Sequence, residues 1–173
     1  MIMWILWILL LLILGSFVYG GLRAAPWVPT FPQDRSRIMK LADIEPGDVF
    51  LELGCGSGGI LQAAAQQGAT AIGYEVSLLP YCIAKIRSLF TPRMSVKFRD
   101  FWMMDLSKAT HVYCYLLPKI YPKLKEKCER ELKPSAKILL YVWGMDEWKA
   151  TLVDTMKDAP KIYVYEPGKQ NAS

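Results

Sequence analysis

The sequence predicts an α/β fold in which a Rossmann-like, mainly parallel sheet carries helices on both faces. From residue 48 onward, short apolar segments alternate with helix-like segments, a pattern typical of parallel sheets. A glycine-rich turn at residues 54–59 follows one of these apolar runs, as in the strand–turn–helix units that bind nucleotide-like ligands. Two short strand-like segments near the end predict a C-terminal antiparallel hairpin at the sheet edge. One N-terminal transmembrane helix is expected to precede this domain.

The composition limits the chain to one ordinary domain and narrows its partners. The protein has 173 residues, a formal net charge of +5 and a pI of about 9.0. The positive charge is spread along the chain without a long basic run, so it suits an anionic surface and no nucleic-acid partner is expected. The four cysteines form no C-x-x-C pair, and His111 has no metal-like partner nearby, so no metal site is expected. Cys82 and Cys114 lie in apolar patterns and are expected to be buried.

The N-terminal segment is predicted to anchor the protein in a membrane. Residues 1–19 carry no charged side chain, and as a helix they would extend about 28 Å, close to the ~30 Å of a bilayer core. A cleaved signal peptide is the alternative, but the segment lacks a basic start and its apolar run is long. Arg23 and the next basic residues follow the helix. The positive-inside rule therefore places the domain on the cytoplasmic side, or on the matrix side in a mitochondrion.

The rest of the chain divides into consecutive elements. After the anchor, 1–20, a linker and covering segment is expected at 21–33, because two glycines at positions 20 and 21 and three prolines after them exclude a continuous helix. The globular domain is expected to span 34–168, and residues 169–173 are expected to form a flexible tail. Within the domain, helices are expected at 34–44, 58–67, 77–90 and 118–132. Strands are expected at 48–53, 69–76, 95–99, 111–116, 137–143, 150–155 and 161–166.

The glycine turn fits two kinds of cofactor. Gly54, Gly56 and Gly59 satisfy the G-x-G-x-x-G pattern of dinucleotide-binding oxidoreductases, with Glu75 at the position of a ribose-binding acid. Glu52 followed by alternating glycines equally satisfies the acidic turn that binds S-adenosylmethionine (SAM). A carboxylate beside the turn would repel a pyrophosphate, whereas it would attract the ammonium of SAM. The chain also lacks room for a dehydrogenase's second domain, so SAM is favoured and an NAD-binding oxidoreductase stays the alternative.

Four stretches carry a resemblance to a known family. They are Pro26-Trp-Val-Pro-Thr30, Leu51-Glu-Leu-Gly-Cys-Gly-Ser-Gly58, Gly73-Tyr-Glu75, and Arg99-Asp-Phe-Trp102 with the segment on to Pro118. They resemble class I SAM-dependent methyltransferases. The sequence is most similar to the small protein-lysine methyltransferases, which include archaeal broad-specificity enzymes and membrane-anchored mitochondrial enzymes acting on the ATP synthase c-subunit and the adenine nucleotide translocase. Tyr115-Leu-Leu-Pro118 departs from the Asn/Asp-Pro-Pro-Tyr signature of many amino-group methyltransferases, which makes glutamine or nucleobase acceptors less expected.

The resemblance implies roles for individual residues. Glu52 would bind the SAM ammonium, Glu75 the ribose hydroxyls, and Asp100 the adenine amino group with Phe101 beside the ring. Pro29 and Thr30 would close over the methionine end. The full set of expected cofactor-binding residues is Pro29, Thr30, Glu52, Gly54, Cys55, Gly56, Gly58, Glu75, Val76, Asp100 and Phe101. Tyr115 and Pro118 are the candidates for the acceptor entrance. The equal alternative is that Tyr115 is an aromatic residue of the core and that Pro118 only starts a helix.

The expected function is a membrane-anchored SAM-dependent methyltransferase that transfers methyl groups to lysine amines of protein substrates by direct displacement. In-line positioning and removal of water would carry the catalysis, with no metal and no definite general base. A lipid or small-molecule acceptor is one alternative, and a non-catalytic SAM-binding membrane protein is another. Lys123, Lys125 and Lys127 are expected to form a solvated helix face.

Overall fold

A computed structural model describes residues 1–170 of the chain. Within these residues there are five helices: α1 (Ile2–Arg23), α2 (Arg35–Ala42), α3 (Gly59–Gln66), α4 (Leu78–Leu89) and α5 (Tyr121–Glu131). The same residues form seven strands: β1 (Val49–Leu53), β2 (Thr70–Glu75), β3 (Met94–Phe98), β4 (His111–Cys114), β5 (Lys137–Tyr141), β6 (Leu152–Asp154) and β7 (Ile162–Tyr165). Short 3-10 turns occupy Pro32–Asp34, Phe101–Met103, Pro118–Ile120 and Pro167–Lys169.

The strands form one sheet in the order β3-β2-β1-β4-β5-β7-β6. Strands β1 to β5 are parallel, and β7 pairs antiparallel with both β5 and β6. The predicted Rossmann-like sheet with a C-terminal hairpin is therefore confirmed. The order reverses at β1, where the chain passes from β3-β2 on one side to β4 on the other. Such a switch point opens a crevice at the carboxyl ends of the strands.

Alternating apolar side chains give the sheet a core on each face. Leu51, Val112 and Ile138 point to the face that α5 covers. Phe50 and Leu139 point to the other face, where α2, α3 and α4 pack. Each of these strands is covered on both sides, which explains why its apolar run is nearly continuous.

Helix α1 continues beyond its expected end. It passes through Gly20 and Gly21 to Arg23, so the linker begins at Ala24 and the expectation that the two glycines end the helix is wrong. Glycine weakens a helix interior by about 1 kcal/mol, but here Gly20 permits close packing. A Cβ on Gly20 would lie 2.8 Å from the Ser77 hydroxyl. The contact with the domain therefore compensates for the poor helix propensity.

Three further expectations need correction. Cys82 is exposed on α4, whereas Cys114 is buried. Lys127 is buried. Its ammonium donates to the Met104 carbonyl and pairs with Glu131 at 2.8 Å, and these partners compensate for the loss of water. The expected flexible tail begins as an ordered turn in which the Gln170 side chain bonds to the Lys149 backbone, and residues 171–173 lie outside the described residues.

Helix α1 extends away from the domain at its start and contacts it at its end. Residues 2–12 are all exposed, with a mean hydropathy of 2.5 in the most apolar window of the helix. By length and composition the helix is long and apolar enough to cross a membrane. Its second half packs against α4 and the covering segment, so it is also part of the architecture of the domain.

Candidate active site

A cavity of about 830 Å³, including its open mouth, lies at the carboxyl ends of β1, β2 and β4. Of the predicted site residues, those that line it are Pro29, Thr30, Glu52, Gly54, Cys55, Gly56, Glu75, Val76, Asp100, Phe101 and Tyr115. Gly58 and Pro118 do not line it. The fold thus gathers residues from both sides of the switch point.

Glu52 lies at the floor of the cavity at the end of β1. Its side chain is buried, and one carboxylate oxygen accepts a 2.9 Å hydrogen bond from the Leu61 backbone in the first turn of α3. Burial raises the pKa of the Glu52 carboxyl well above its usual value, and the nearby Arg35 charge opposes this rise. A buried acid in this position favours binding of a cation, because a positive ligand would restore the ionised form.

The glycine turn is held in a left-handed conformation. Gly56 has a φ of 51°, and a Cβ there would lie 2.6 Å from the Trp27 indole nitrogen. Any larger side chain would displace the indole, so this glycine is required for the close approach of the covering segment. Gly58 is needed for a different contact. A Cβ there would lie 2.7 Å from Met94, so this glycine permits the packing of the turn against the sheet and α4.

Glu75 ties the glycine turn to the start of α4. Its carboxylate accepts hydrogen bonds from the backbone of Gly56 at 2.7 Å, Val76 at 2.9 Å and Ser77 at 2.7 Å. An ionised carboxylate has about four acceptor positions, so one remains for a ligand hydroxyl. These three bonds hold Glu75 in the cavity wall without a counter-ion.

Asp100 lies at the far side of the cavity and contacts α1. One carboxylate oxygen accepts from the Trp102 backbone at 3.0 Å. The other forms a 2.7 Å ion pair with Arg23 and accepts from the Tyr19 hydroxyl at 3.3 Å. Phe101 follows in the wall and is buried. The sequence pattern did not signal the contact with α1, because Arg23 and Asp100 are far apart in the chain.

The segment between α1 and α2 covers the cavity. The Thr30 hydroxyl bonds to the Tyr113 hydroxyl of β4 at 2.8 Å, and Pro29 lies beside it. Burial raises the pKa of Tyr113 well above 10.0, so the phenol stays protonated and available for this bond. Trp27 packs over the glycine turn and against Phe17 of α1, with ring centroids 6.2 Å apart.

Two buried donors in the cavity wall have no partner among the described residues: the Trp27 indole Nε1 and the Arg35 guanidinium Nε. A buried donor without a partner is costly, so such groups indicate a ligand acceptor. Both residues were absent from the predicted site. Trp27 lies inside a segment that the sequence does single out, whereas no sequence signal distinguishes Arg35 from other surface arginines.

The arrangement fits SAM from both ends. Glu52 offers a carboxylate for an ammonium, and Arg35 with Trp27 offers unpaired donors for a carboxylate. Glu75 retains acceptor capacity for hydroxyls, and Phe101 offers an apolar wall for a base. The cavity thereby combines anionic, cationic and apolar regions, as a zwitterionic nucleoside requires.

The rim near β4 is aromatic. The Tyr115 ring packs edge-on against Tyr141 with centroids 4.9 Å apart, and lies 5.9 Å from the Trp143 ring. Trp143 is partly exposed. Pro118 is exposed and starts the 3-10 turn before α5, away from the cavity lining.

Comparison with known proteins identifies the family. The model of the ANTKMT methyltransferase domain matches residues 52–152, more than half of the chain. The chain belongs to this methyltransferase family. It is a SAM-dependent methyltransferase, and the predicted cofactor and family are confirmed.

Several relatives resemble the methyltransferase over most of its length. A protein-lysine N-methyltransferase of Saccharolobus islandicus is 30% identical over 83% of this chain and 94% of that protein. The human ATP synthase c-subunit lysine N-methyltransferase is 28% identical over 76% of this chain but only 58% of its own length. An RNA methyltransferase from Salinibacter ruber, solved with S-adenosyl-L-homocysteine, is 26% identical with a TM-score of 0.75, over 80% of this chain and 93% of that one.

No three His, Cys, Asp or Glu side chains within residues 1–170 lie close enough together to hold a metal ion. Cys55 lines the cavity, and burial raises the pKa of its thiol well above 9.0. The thiol is therefore neutral, and Cys55 contributes its backbone to the turn.

Proposed function

We propose that this protein is a membrane-anchored lysine N-methyltransferase that transfers methyl groups from SAM to lysine amines of protein substrates. The observation that carries the proposal is the match to the Saccharolobus islandicus protein-lysine N-methyltransferase along almost all of that protein. Relatives named for the ATP synthase c-subunit and the adenine nucleotide translocase are also lysine N-methyltransferases. The apolar helix α1 supports the anchor, and the basic residues after it support a domain on the cytoplasmic or matrix side.

The cofactor residues have separate roles along the cavity. Glu52 would hold the ammonium, and Arg35 and Trp27 would hold the carboxylate. Glu75 would accept from the ribose hydroxyls, while Asp100 and Phe101 would contact the adenine. Five further predicted residues would act through the backbone: Gly54, Cys55, Gly56 and Val76 shape the wall, and Gly58 supports the turn from behind.

The acceptor would enter between Tyr115 and the covering segment. Tyr115 lies on the cavity wall, and its neighbour Trp143 is exposed at the rim. Aromatic faces attract an ammonium by about 0.5–2 kcal/mol, which suits an approaching lysine. Pro118 would shape the outer edge of this entrance by starting the turn before α5.

SAM, when bound, would supply an electrophilic methyl group on its sulfonium: a neutral amine would attack that carbon, the C–S bond would break, and S-adenosyl-L-homocysteine would leave as the neutral thioether. The chain's task is to align the amine and to exclude water, and the bond from Thr30 to Tyr113 holds the cover over the cavity. Lysine must first lose a proton, since its ordinary pKa is about 10.4. No side chain is assigned as the base.

The proposal is tested by incubating the purified full chain with SAM and detergent-solubilised membrane proteins, followed by intact-mass and peptide analysis. Methyl increments on lysine are expected with the wild type and not with Gly56→Arg, which cannot hold Trp27 over the turn. Absence of lysine methylation on any protein, with SAM binding intact, would contradict the assignment of the acceptor.

RNA is a second candidate acceptor, since the Salinibacter ruber relative is named an RNA methyltransferase. Total RNA and extracted lipids are therefore included as parallel acceptors in the same assay. Labelled methyl groups in either fraction, with none in protein, would replace the lysine assignment.

A further inference from the structure

Helix α4 has an outward face that is almost entirely apolar. Its exposed residues are Leu79, Cys82, Ile83, Lys85, Ile86 and Leu89, and Phe90 follows directly. Leu89 is 71% exposed and Phe90 is 82% exposed. These positions recur at intervals of three and four, so they form one stripe along the helix. A contiguous apolar stripe on a protein surface indicates an interaction site.

The stripe is continuous with the apolar helix α1. The Ser16 hydroxyl of α1 accepts a 2.9 Å hydrogen bond from the backbone of Leu78, the first residue of α4. Gly20, one helical turn later, packs against Val76 and Ser77. The less exposed residues of α1, from Ile13 to Gly21, follow the same helical spacing and form its docked face.

The length of α1 sets how deeply the start of α4 would lie in a membrane. Helix α1 has 22 residues, about 33 Å, and a bilayer core of ~30 Å requires about 20 of them. Ser16 lies about 10 Å before Arg23, the first charged residue of the helix. If α1 spans the bilayer, Ser16 lies inside the leaflet, and it takes the start of α4 with it. The domain cannot stand clear of the membrane on a flexible tether.

The charges beside the stripe suit a lipid surface. Residues 76–99 contain the basic side chains Lys85, Arg87, Arg93, Lys97 and Arg99 and no acidic one. Lys85, Arg93, Lys97 and Arg99 are exposed. Phe98, on edge strand β3, is half-exposed and lies against Tyr81 of α4, with ring centroids 5.1 Å apart. An apolar helix face with adjacent basic residues is typical of a helix that lies in the membrane interface.

We propose that α4 is a second membrane-contacting element, which lies in the leaflet interface and fixes the orientation of the domain on an anionic bilayer. This inference rests on the proposed anchoring by α1 and adds a surface to it. The cavity would then open beside the bilayer, because Gly20 and Arg23 of α1 line its wall. The acceptors within reach would be lysines just outside the bilayer on the same side.

Cys82 provides the probe for a test. It lies on the stripe, whereas Cys55, Cys114 and Cys128 are buried, so a thiol-reactive, polarity-sensitive fluorophore labels it selectively. The full chain is reconstituted in vesicles of phosphatidylcholine and phosphatidylglycerol with and without bromine on the acyl chains. The matched control is Cys82→Ser with Thr155→Cys, an exposed position after β6 at the opposite edge of the sheet.

The expected result is quenching of the Cys82 label by brominated lipid and no quenching of the Thr155→Cys label. The double substitution Ile86→Glu and Leu89→Glu changes only exposed positions and should abolish the quenching while the protein stays in the vesicles. Equal emission from the two labels in both lipids would overturn the proposal, as would a chemical cross-link between Cys82 residues of two copies without quenching.

Alkaline carbonate extraction separates this proposal from the anchor. Release of the protein by carbonate would overturn the anchoring by α1, and the α4 contact with it. Retention of the protein together with an unquenched Cys82 label would overturn the α4 contact alone.

Discussion

Arg23, the last residue of the apolar helix, forms a 2.7 Å ion pair with Asp100, the acid expected beside the adenine. The Asp100 side chain is 8% exposed and the Arg23 side chain 44% exposed. The membrane-type helix therefore contributes directly to the wall of the cofactor cavity. The same acid holds the helix and, under the proposed cofactor binding, would also contact the nucleoside.

Separate substitutions at this pair should have unequal effects. Arg23→Gln removes a partly exposed ion pair that solvent screens, so the Kd for SAM should rise by less than about fivefold. Asp100→Ala should raise it by about tenfold, because the contact to the adenine is also lost. Isothermal titration calorimetry measures both, with Arg93→Gln as an exposed control. Equal losses for the two variants would show that the helix itself is required for SAM binding.

Glu52→Gln should weaken SAM binding and stabilise the protein without SAM. Loss of a charged partner for the ammonium should raise the Kd by about ten- to a hundredfold. The pKa of the Glu52 carboxyl is raised in the folded state, so its ionised form costs stability once the pH exceeds the value in the unfolded chain. The neutral amide removes that cost, and the Tm at neutral pH should rise. Calorimetry and thermal melts measure the two effects, and a fall in Tm with unchanged affinity would contradict the role.

The same acid predicts a pH dependence. Because burial raises the Glu52 pKa, acidification protonates it in the free protein before an ordinary glutamate would be protonated. SAM affinity of the wild type should therefore fall as the pH is lowered, beginning at a higher pH than for an ordinary glutamate, and Glu52→Gln should show a flatter profile. Parallel slopes for the two proteins would assign the titration to another group.

Gly56→Ala should reduce SAM affinity by more than tenfold. A loss of about 1.4 kcal/mol in the free energy of SAM binding, caused by a displaced turn, is sufficient for a tenfold change. The new methyl group would meet the Trp27 indole within 2.8 Å. Gly47→Ala is the matched control: Gly47 also has a positive φ, 101°, but nothing lies within 4 Å of its missing Cβ. Both variants carry backbone strain, so only the loss of SAM binding should distinguish them. Similar SAM affinity in the two variants would contradict the contact between Trp27 and the turn.

The hydrogen bond between the Thr30 and Tyr113 hydroxyls should couple the covering segment to the sheet. Thr30→Val and Tyr113→Phe each remove one hydroxyl, and the double-mutant cycle should give a coupling of about 1 kcal/mol in the free energy of SAM binding. Initial-rate measurements of KM for SAM provide an independent check. If the effects of the two substitutions on SAM binding are fully additive, the covering segment closes without this hydrogen bond.

Much of this architecture follows from local patterns. The alternation of apolar strands and helices predicts the parallel sheet, because only a sheet covered on both faces buries such continuous apolar runs. The spacing of Glu52, Gly54 and Glu75 predicts that they meet at one edge of the sheet, since a strand–turn–helix unit brings the ends of neighbouring strands together. The end of α1 could not be predicted in this way, because glycine propensity is local and the packing of Gly20 on Ser77 is not.

The sequence by itself predicted the fold class and an apolar helix and favoured SAM over a dinucleotide, because each of these signals lies in residues that are close together in the chain. Only the tertiary structure decided that Arg23 meets Asp100, that Arg35 and Trp27 face the cofactor cavity, and that Ser16 meets the start of α4. These contacts join segments far apart in sequence, and their geometry depends on how the helices pack on the finished sheet.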